Sequence, residues 1–295
     1  MENVMCKNQY EGNGFALFNG DSCEVMKAIP DNSIHYSIFS PPFASLYTYS
    51  NSIRDLGNCR NTDEFYNQFK FIIKELHRIL MNGRLVSIHC MDLPAQKARD
   101  GFVGMFDFPG EIIKMMTDEG FVYHSRVTIW KDPQVEMMRR KSLGLLYKTV
   151  QKDSSMNRQG MADYIVTFRK LGDNTEPISH KKEDFSLDKW IDYASPVWMD
   201  INQSNTLQKE SAREEKDEKH ICPLQLDVIE RCLDIWTNPE DIVFTPFLGI
   251  GSEAYTALKM GRRAVGIELK ESYYNQAVKN CKEIVSTTIK HRKLF

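Results

Sequence analysis

Asp241-Ile242-Val243-Phe244-Thr245-Pro246-Phe247-Leu248-Gly249-Ile250-Gly251-Ser252, followed by Arg263-Ala264-Val265-Gly266-Ile267-Glu268, decides the fold. Residues 241–245 are a short apolar, β-branched run that reads as a strand, and Pro246 ends it. Gly249 and Gly251 mark a turn where the backbone can approach a ligand closely. Ser252 is placed to cap a helix running through Met260, which Gly261 stops. Residues 263–268 form the next strand, with an acid at its end, and Glu271–Glu283 continues as a helix. Strand, turn, helix and strand make a parallel crossover unit. The fold class is therefore α/β, with a mostly parallel, Rossmann-like sheet and helices on both faces. From Gly251 to Glu268 the chain advances 17 residues, near the roughly 20 at which such an acid meets ribose hydroxyls. A glycine turn in an unrelated doubly wound sheet is the bland alternative.

Upstream, residues 223–237 form an amphipathic helix entered through Pro223. Farther upstream, Ile34-His35-Tyr36-Ser37-Ile38-Phe39 reads as another strand, ended by Ser40-Pro41-Pro42-Phe43. Pro41 drives Ser40 away from helical geometry. A hydroxyl, a rigid turn and an aromatic face are thus held together at a strand end, where open α/β sheets bind ligands. Ser40 and the carbonyl beside the prolines can accept hydrogen bonds from an NH2 group, and Phe43 can stack on a planar ring. The bland alternative is a proline-terminated strand with one aromatic core residue.

Ser40-Pro41-Pro42-Phe43 resembles the catalytic motif of the amino-methyltransferases, which methylate N4 of cytosine or N6 of adenine using S-adenosylmethionine. The lead-in Leu17-Phe18-Asn19-Gly20-Asp21-Ser22 and Ile29-Pro30-Asp31-Asn32-Ser33 matches the same enzymes. Thr245-Pro246-Phe247-Leu248-Gly249-Ile250-Gly251-Ser252 resembles their cofactor turn, with Thr245 in place of the usual aspartate. The resemblance implies that Ser40, Pro41, Pro42 and Phe43 are catalytic. It implies that Asp21, Phe247, Gly249, Gly251, Ser252 and Glu268 bind S-adenosylmethionine. The catalytic tetrapeptide precedes the cofactor turn, which resembles the β-type circular permutation of these enzymes, with a smaller target-recognition insertion. The block from Lys131 to Arg169, with Leu143-Gly144-Leu145-Leu146 and Asp153-Ser154-Ser155, resembles stand-alone enzymes of phages and prophages.

The 295 residues allow one large domain carrying an insertion. The expected division is 1–132 for the catalytic half, 133–219 for a basic segment, edge hairpin and target-recognition region, and 220–295 for the cofactor half. With 42% hydrophobic and 26% charged residues the chain reads as an ordinary globular enzyme. No apolar run approaches the roughly 18 residues of a membrane span, and residues 1–5 do not begin a signal peptide. The expected location is the cytoplasm of a bacterial or phage-infected cell. A net charge of −2 excludes a globally basic coat but not a local basic face. The seven scattered cysteines contain no Cys-x-x-Cys pair, so neither a disulfide framework nor a zinc site is expected. His89-Cys90 is an isolated pair without metal-ligand spacing.

Residues 44–62 read as a lid over the substrate, with Tyr47 and Tyr49 as stacking candidates, or as an ordinary surface loop. The apolar series Phe65, Phe69, Ile72, Ile73, Leu76, Ile79 and Leu80 predicts a helix from Thr62 to Asn82-Gly83. A buried strand over 84–90 follows. Residues 91–110 read as loop with one short helix, 111–119 as helix and 121–130 as strand. Arg139, Arg140, Lys141, Lys148, Lys152 and Arg158 face a single acid, Asp153. They are the candidate phosphate-contacting surface, or else a solvated helix face and loop. Residues 161–169 are expected to be a hairpin partner at the sheet edge. In 171–219, Trp190, Tyr193 and Trp198 could form a small core of their own.

The expected reaction is direct methyl transfer to the exocyclic amine of a base turned out of duplex DNA. Ser40 leans toward cytosine N4, with adenine N6 as the alternative. An RNA or protein-glutamine methyltransferase, or a DNA-binding relative without catalysis, are the remaining readings. DNA is the expected partner; a homodimer and a separate cognate endonuclease are compatible with the resemblance.

Overall fold

The computed structural model describes residues 6–42, 62–95, 97–140, 143–207 and 223–292. Phe43, the stretch 44–61 with Tyr47 and Tyr49, Lys141 and the segment 208–222 lie outside the described residues, as do the side chains of Thr62, Arg139 and Arg140.

Among the described residues one nine-stranded sheet carries the fold. Its order is β1 (Asn8–Gly12), β2 (Phe15–Asn19), β11 (Arg263–Glu268), β10 (Ile242–Thr245), β3 (Ile34–Phe39), β4 (Leu80–Cys90), β8 (Asp163–Lys170), β7 (Phe121–Ile129) and β9 (Val197–Trp198). The five strands from β2 to β4 are parallel. β8 runs antiparallel to both β4 and β7. A separate two-stranded ribbon joins β5 (Leu93–Ala95) to β6 (Gly104–Phe106). The helices are α1 (Ser22–Val25), α2 (Thr62–Ile79), α3 (Lys97–Asp100), α4 (Phe108–Asp118), α5 (Pro133–Arg140), α6 (Tyr147–Lys152), α7 (Leu187–Tyr193), α8 (Leu226–Trp236), α9 (Ser252–Lys259) and α10 (Glu271–Arg292).

Alternation along each strand sends side chains to two cores. Phe39, Val86, Ile88, Val166 and Phe168 meet Phe65, Phe69, Ile72, Ile73 and Leu76 of α2 and Ile112 and Met116 of α4. Tyr36, Ile38, Val243 and Ile165 meet Val228, Ile229 and Leu233 of α8, Ala254 and Ala257 of α9, and Tyr274 and Ala277 of α10. Each large side chain buried this way contributes about 1.5–3 kcal/mol, so α2 is held mainly by its apolar stripe. Phe69→Ala would remove contacts with Phe39, Phe65 and Phe247 together.

Four local expectations change. Asn82-Gly83 lies inside β4 rather than ending α2: the strand begins at Leu80, and Gly83 at φ 71° takes up a register irregularity against β3. Residues 93–106 form a ribbon where loop was expected, because Gly104 and the apolar pairs beside it can align across a turn. β8 is an interior strand, since β7 and β9 lie beyond it. Trp198 joins the main core at 1% exposure while Trp190 is 55% exposed, so these aromatics build no core of their own.

Candidate active site

Because β2, β11, β10, β3 and β4 are parallel neighbours, their C-terminal ends form one edge. Along it stand, in spatial order, Asn19-Gly20-Asp21, Glu268, the turn after Thr245, Ser40-Pro41-Pro42 and His89-Cys90. The candidate cofactor and catalytic residues, more than two hundred positions apart in the chain, are brought to adjacent strand ends.

The cofactor side is organised by backbone. Glu268 accepts hydrogen bonds from the Gly249 N–H at 2.7 Å and the Lys270 N–H at 2.9 Å, so both carboxylate oxygens are aimed. Asn19 Nδ2 donates to the Glu268 and Leu269 carbonyls at 2.8 and 3.1 Å, locking the neighbouring strand end. Gly249 has φ 54°, and a Cβ built there would meet nothing within 4 Å, which leaves open space against the turn. Gly251 has φ 92°, and a Cβ would come 3.1 Å from Ala277, so only glycine fits. Gly251, not Ser252, occupies the N-cap position of α9. A left-handed residue there leaves Ser252 as the first helical residue, buried. Asp21 instead caps α1, accepting from Cys23 N–H at 2.9 Å. The Ser22 hydroxyl donates to the Pro246 carbonyl at 2.5 Å, tying α1 to the cofactor turn. Phe247 packs between Phe39 and Phe69, turning its ring toward the core of α2.

Two buried polar groups on this side are distinctive. The Thr245 hydroxyl, at the residue that departs from the family's aspartate, has no partner among the described residues. Glu253, in the first turn of α9, is 5% exposed. Burial pushes its carboxyl up to about 8, with Glu268 adding to the effect. Open space at Gly249, a fixed acid at Glu268 and an unpartnered hydroxyl at Thr245 fit a nucleoside-bearing ligand with polar ends.

On the catalytic side, Ser40 Oγ lies 2.9 Å from His89 Nδ1. His89 Nε2 is 3.1 Å from Asp163 Oδ2, a pairing distance bent off a straight hydrogen bond. Lys131 also pairs with Asp163 Oδ2. Burial pushes the Asp163 carboxyl up, but the facing His89 and Lys131 outweigh it and bring it down to about 2. The chain Ser40–His89–Asp163–Lys131 was not foreseen. His89 read as an isolated pair with Cys90, and Asp163 as the start of a strand. The signal was a polar side chain within the apolar run Leu85–Cys90, at the end of the strand beside the catalytic one.

The basic segment divides. Lys148 and Lys152 are exposed on α6, and Arg139 and Arg140 lie at the end of α5. Arg158 is engaged within the protein. It donates to the Gln159 carbonyl at 2.7 Å and pairs at 3.4 Å with Glu136, which also accepts from Met161 N–H at 2.7 Å.

The sequence profile of the N6/N4 DNA methylases matches residues 34–279. This chain belongs to that family. Membership carries the reaction class, methylation of an exocyclic base amine in DNA with S-adenosylmethionine as donor. Among relatives, the chain is 25% identical to the Type II methyltransferase M.BglII of Bacillus subtilis, over 88% of this chain and 67% of the relative. Its fold matches a DNA modification methylase from Thermus thermophilus complexed with S-adenosyl-L-methionine, with a TM-score of 0.69, 22% identity and coverage of 91% and 93% of the two chains. It also matches the cytosine-N4-specific PvuII DNA methyltransferase, with a TM-score of 0.67, 17% identity and coverage of 96% and 94%.

Proposed function

We propose that this methyltransferase acts on a base turned out of the duplex, with Ser40 as the amine-binding residue and cytosine N4 as the target. The observation that carries the reading is the Ser40 hydroxyl, fixed by His89 at the strand end next to the Gly249–Glu268 turn. The cofactor supplies a methyl group on a sulfonium. Ser40 Oγ and the Pro41 carbonyl accept from the amine, which directs its lone pair, and Phe43 stacks on the ring. Glu268 holds the ribose hydroxyls. Gly249, Gly251, Ser252, Asp21 and Phe247 shape the remainder of the cofactor pocket. Arg139, Arg140, Lys141, Lys148 and Lys152 contact phosphates, with Arg158 bracing the segment that carries them.

Adenine N6 is the second reading, since the family profile covers both amines. Nucleoside mass spectrometry on unmethylated DNA incubated with protein and S-adenosylmethionine decides between them. N4-methylcytosine supports the proposal, N6-methyladenine replaces the base, and neither product sinks it. Glu268→Ala should weaken cofactor binding about 10–100-fold by calorimetry through loss of charge-assisted hydrogen bonds. Unchanged affinity would remove Glu268 from the ribose. The proposal includes the permuted chain order, cytoplasmic action, a homodimer and a cognate endonuclease on a separate chain. Among the described residues no helix is long and apolar enough to cross a membrane.

A further inference from the structure

We propose that His89 is the proton acceptor of the methyl transfer, receiving the amine proton through the Ser40 hydroxyl, while Asp163 and Lys131 set its tautomer and charge. The proposal rests on the reading of Ser40 as the amine-binding residue.

A neutral imidazole has one N–H and one lone pair. Asp163 is a carboxylate with Oδ2 3.1 Å from Nε2. A lone pair on Nε2 would face that carboxylate with repulsion, so the proton sits on Nε2. Nδ1 is then an acceptor, and Ser40, 2.9 Å away, donates to it. The serine's own lone pairs are thereby left for an incoming N–H. Lys131 shares Asp163 and tempers its pull on the ring, which favours the neutral imidazole and keeps Nδ1 free before reaction. Asp163 Oδ1 is buried without a partner among the described residues, an arrangement a purely structural carboxylate gains nothing from.

The other charged and titratable groups nearby are Asp92, Asp107 and Arg126, which act on Cys90 and Tyr164. Cys90 and Tyr164 alternate to the opposite face of the sheet from His89 and Asp163. Asp163 and Lys131 are therefore the charges that face the ring.

The step balances. The S–C bond of the donor breaks as the N–C bond forms, leaving a neutral thioether and a positively charged, strongly acidic amine nitrogen. Its proton passes to Ser40 Oγ as the Ser40 proton passes to His89 Nδ1. The products are the neutral methylamine, neutral Ser40 and an imidazolium facing Asp163. After release the proton returns through Ser40 to water.

Two measurements test this on the full chain. In single-turnover methylation across pH, the wild-type rate should fall on the acid side as His89 charges. His89→Gln should lose about 10²-fold or more and lose that limb, with cofactor affinity within about twofold of wild type. A rate within about threefold of wild type, or a retained acid limb, overturns the proposal. In 15N NMR of the histidines in the cofactor-free protein, His89 should be the Nε2–H tautomer, and Ser40→Ala should move its Nδ1 resonance. An Nδ1–H tautomer overturns it independently of turnover. Should wild-type protein methylate no DNA, the functional reading fails, and the NMR result alone still decides the hydrogen-bond arrangement.

Discussion

The sheet carries a buried histidine, an aspartate and a cation at each of its two edges, and the two clusters are built differently. At the edge where the parallel strands begin, Arg84 is fully buried. It donates to the His35 and Glu176 carbonyls, each at 3.0 Å, and to Asp241. His35 Nδ1 accepts from Ile242 N–H at 3.1 Å, and Nε2 faces the Glu176 carboxylate at 3.2 Å. His35, Glu176 and Asp241 could in composition hold a metal, but the guanidinium already supplies the positive charge. At the edge where the strands end, Asp163 Oδ1 is unpartnered and Ser40 is partly exposed. A satisfied cluster clamps strands together; an incompletely satisfied one is left with capacity for a substrate.

Four substitutions break or sharpen this contrast. Ser40→Ala should lower methyl transfer about 10²–10⁴-fold with the melting temperature held within a degree or two. A large drop in stability instead would make Ser40 structural. Arg84→Met should do the reverse, costing about 3–5 kcal/mol by stranding Asp241, read by urea unfolding, with activity per folded molecule unchanged.

Glu253→Gln probes the cofactor side. Its folded value of about 8 lies above the ordinary 4.5, so wild-type stability declines as pH rises from about 4.5 toward about 8. The variant should therefore melt several degrees higher than wild type at pH 8.5 and close to it at pH 5. Equal melting at both would show that Glu253 is not buried as an acid.

Asp163→Asn gives the smallest effect. The folded carboxyl titrates near 2 against an ordinary 3.8, so its contribution is present above about pH 4 and lost as pH falls through 2. That contribution is on the order of 2 kcal/mol. Urea unfolding from pH 6 to pH 2 should show this part of the acid sensitivity missing in the variant.

The cofactor turn was legible because its features are local. Two glycines with positive φ, a strand before them and an acid one crossover later are short-range conditions. The Ser40-Pro41-Pro42 turn was legible for the same reason, since prolines act on their own backbone. Arg158 was less so. Its charge matched a phosphate-contacting run, but Glu136, 22 residues earlier, engages it once α5 is in place. The cap at α9 was misplaced by one residue because Ser252 and Gly251 both suit helix starts, and the left-handed turn favours the glycine.

Residue order and composition alone therefore determined the α/β class, the strand ends carrying Ser40 and Glu268, and the apolar stripe of α2, because each depends on neighbours a few positions away. Only the tertiary structure decided that β8 enters the sheet beside β4. That pairing brings Asp163 to His89 across 74 residues of chain. Partners of a buried charge are chosen by strand order and register, quantities that arise when distant segments pack and that no local pattern encodes.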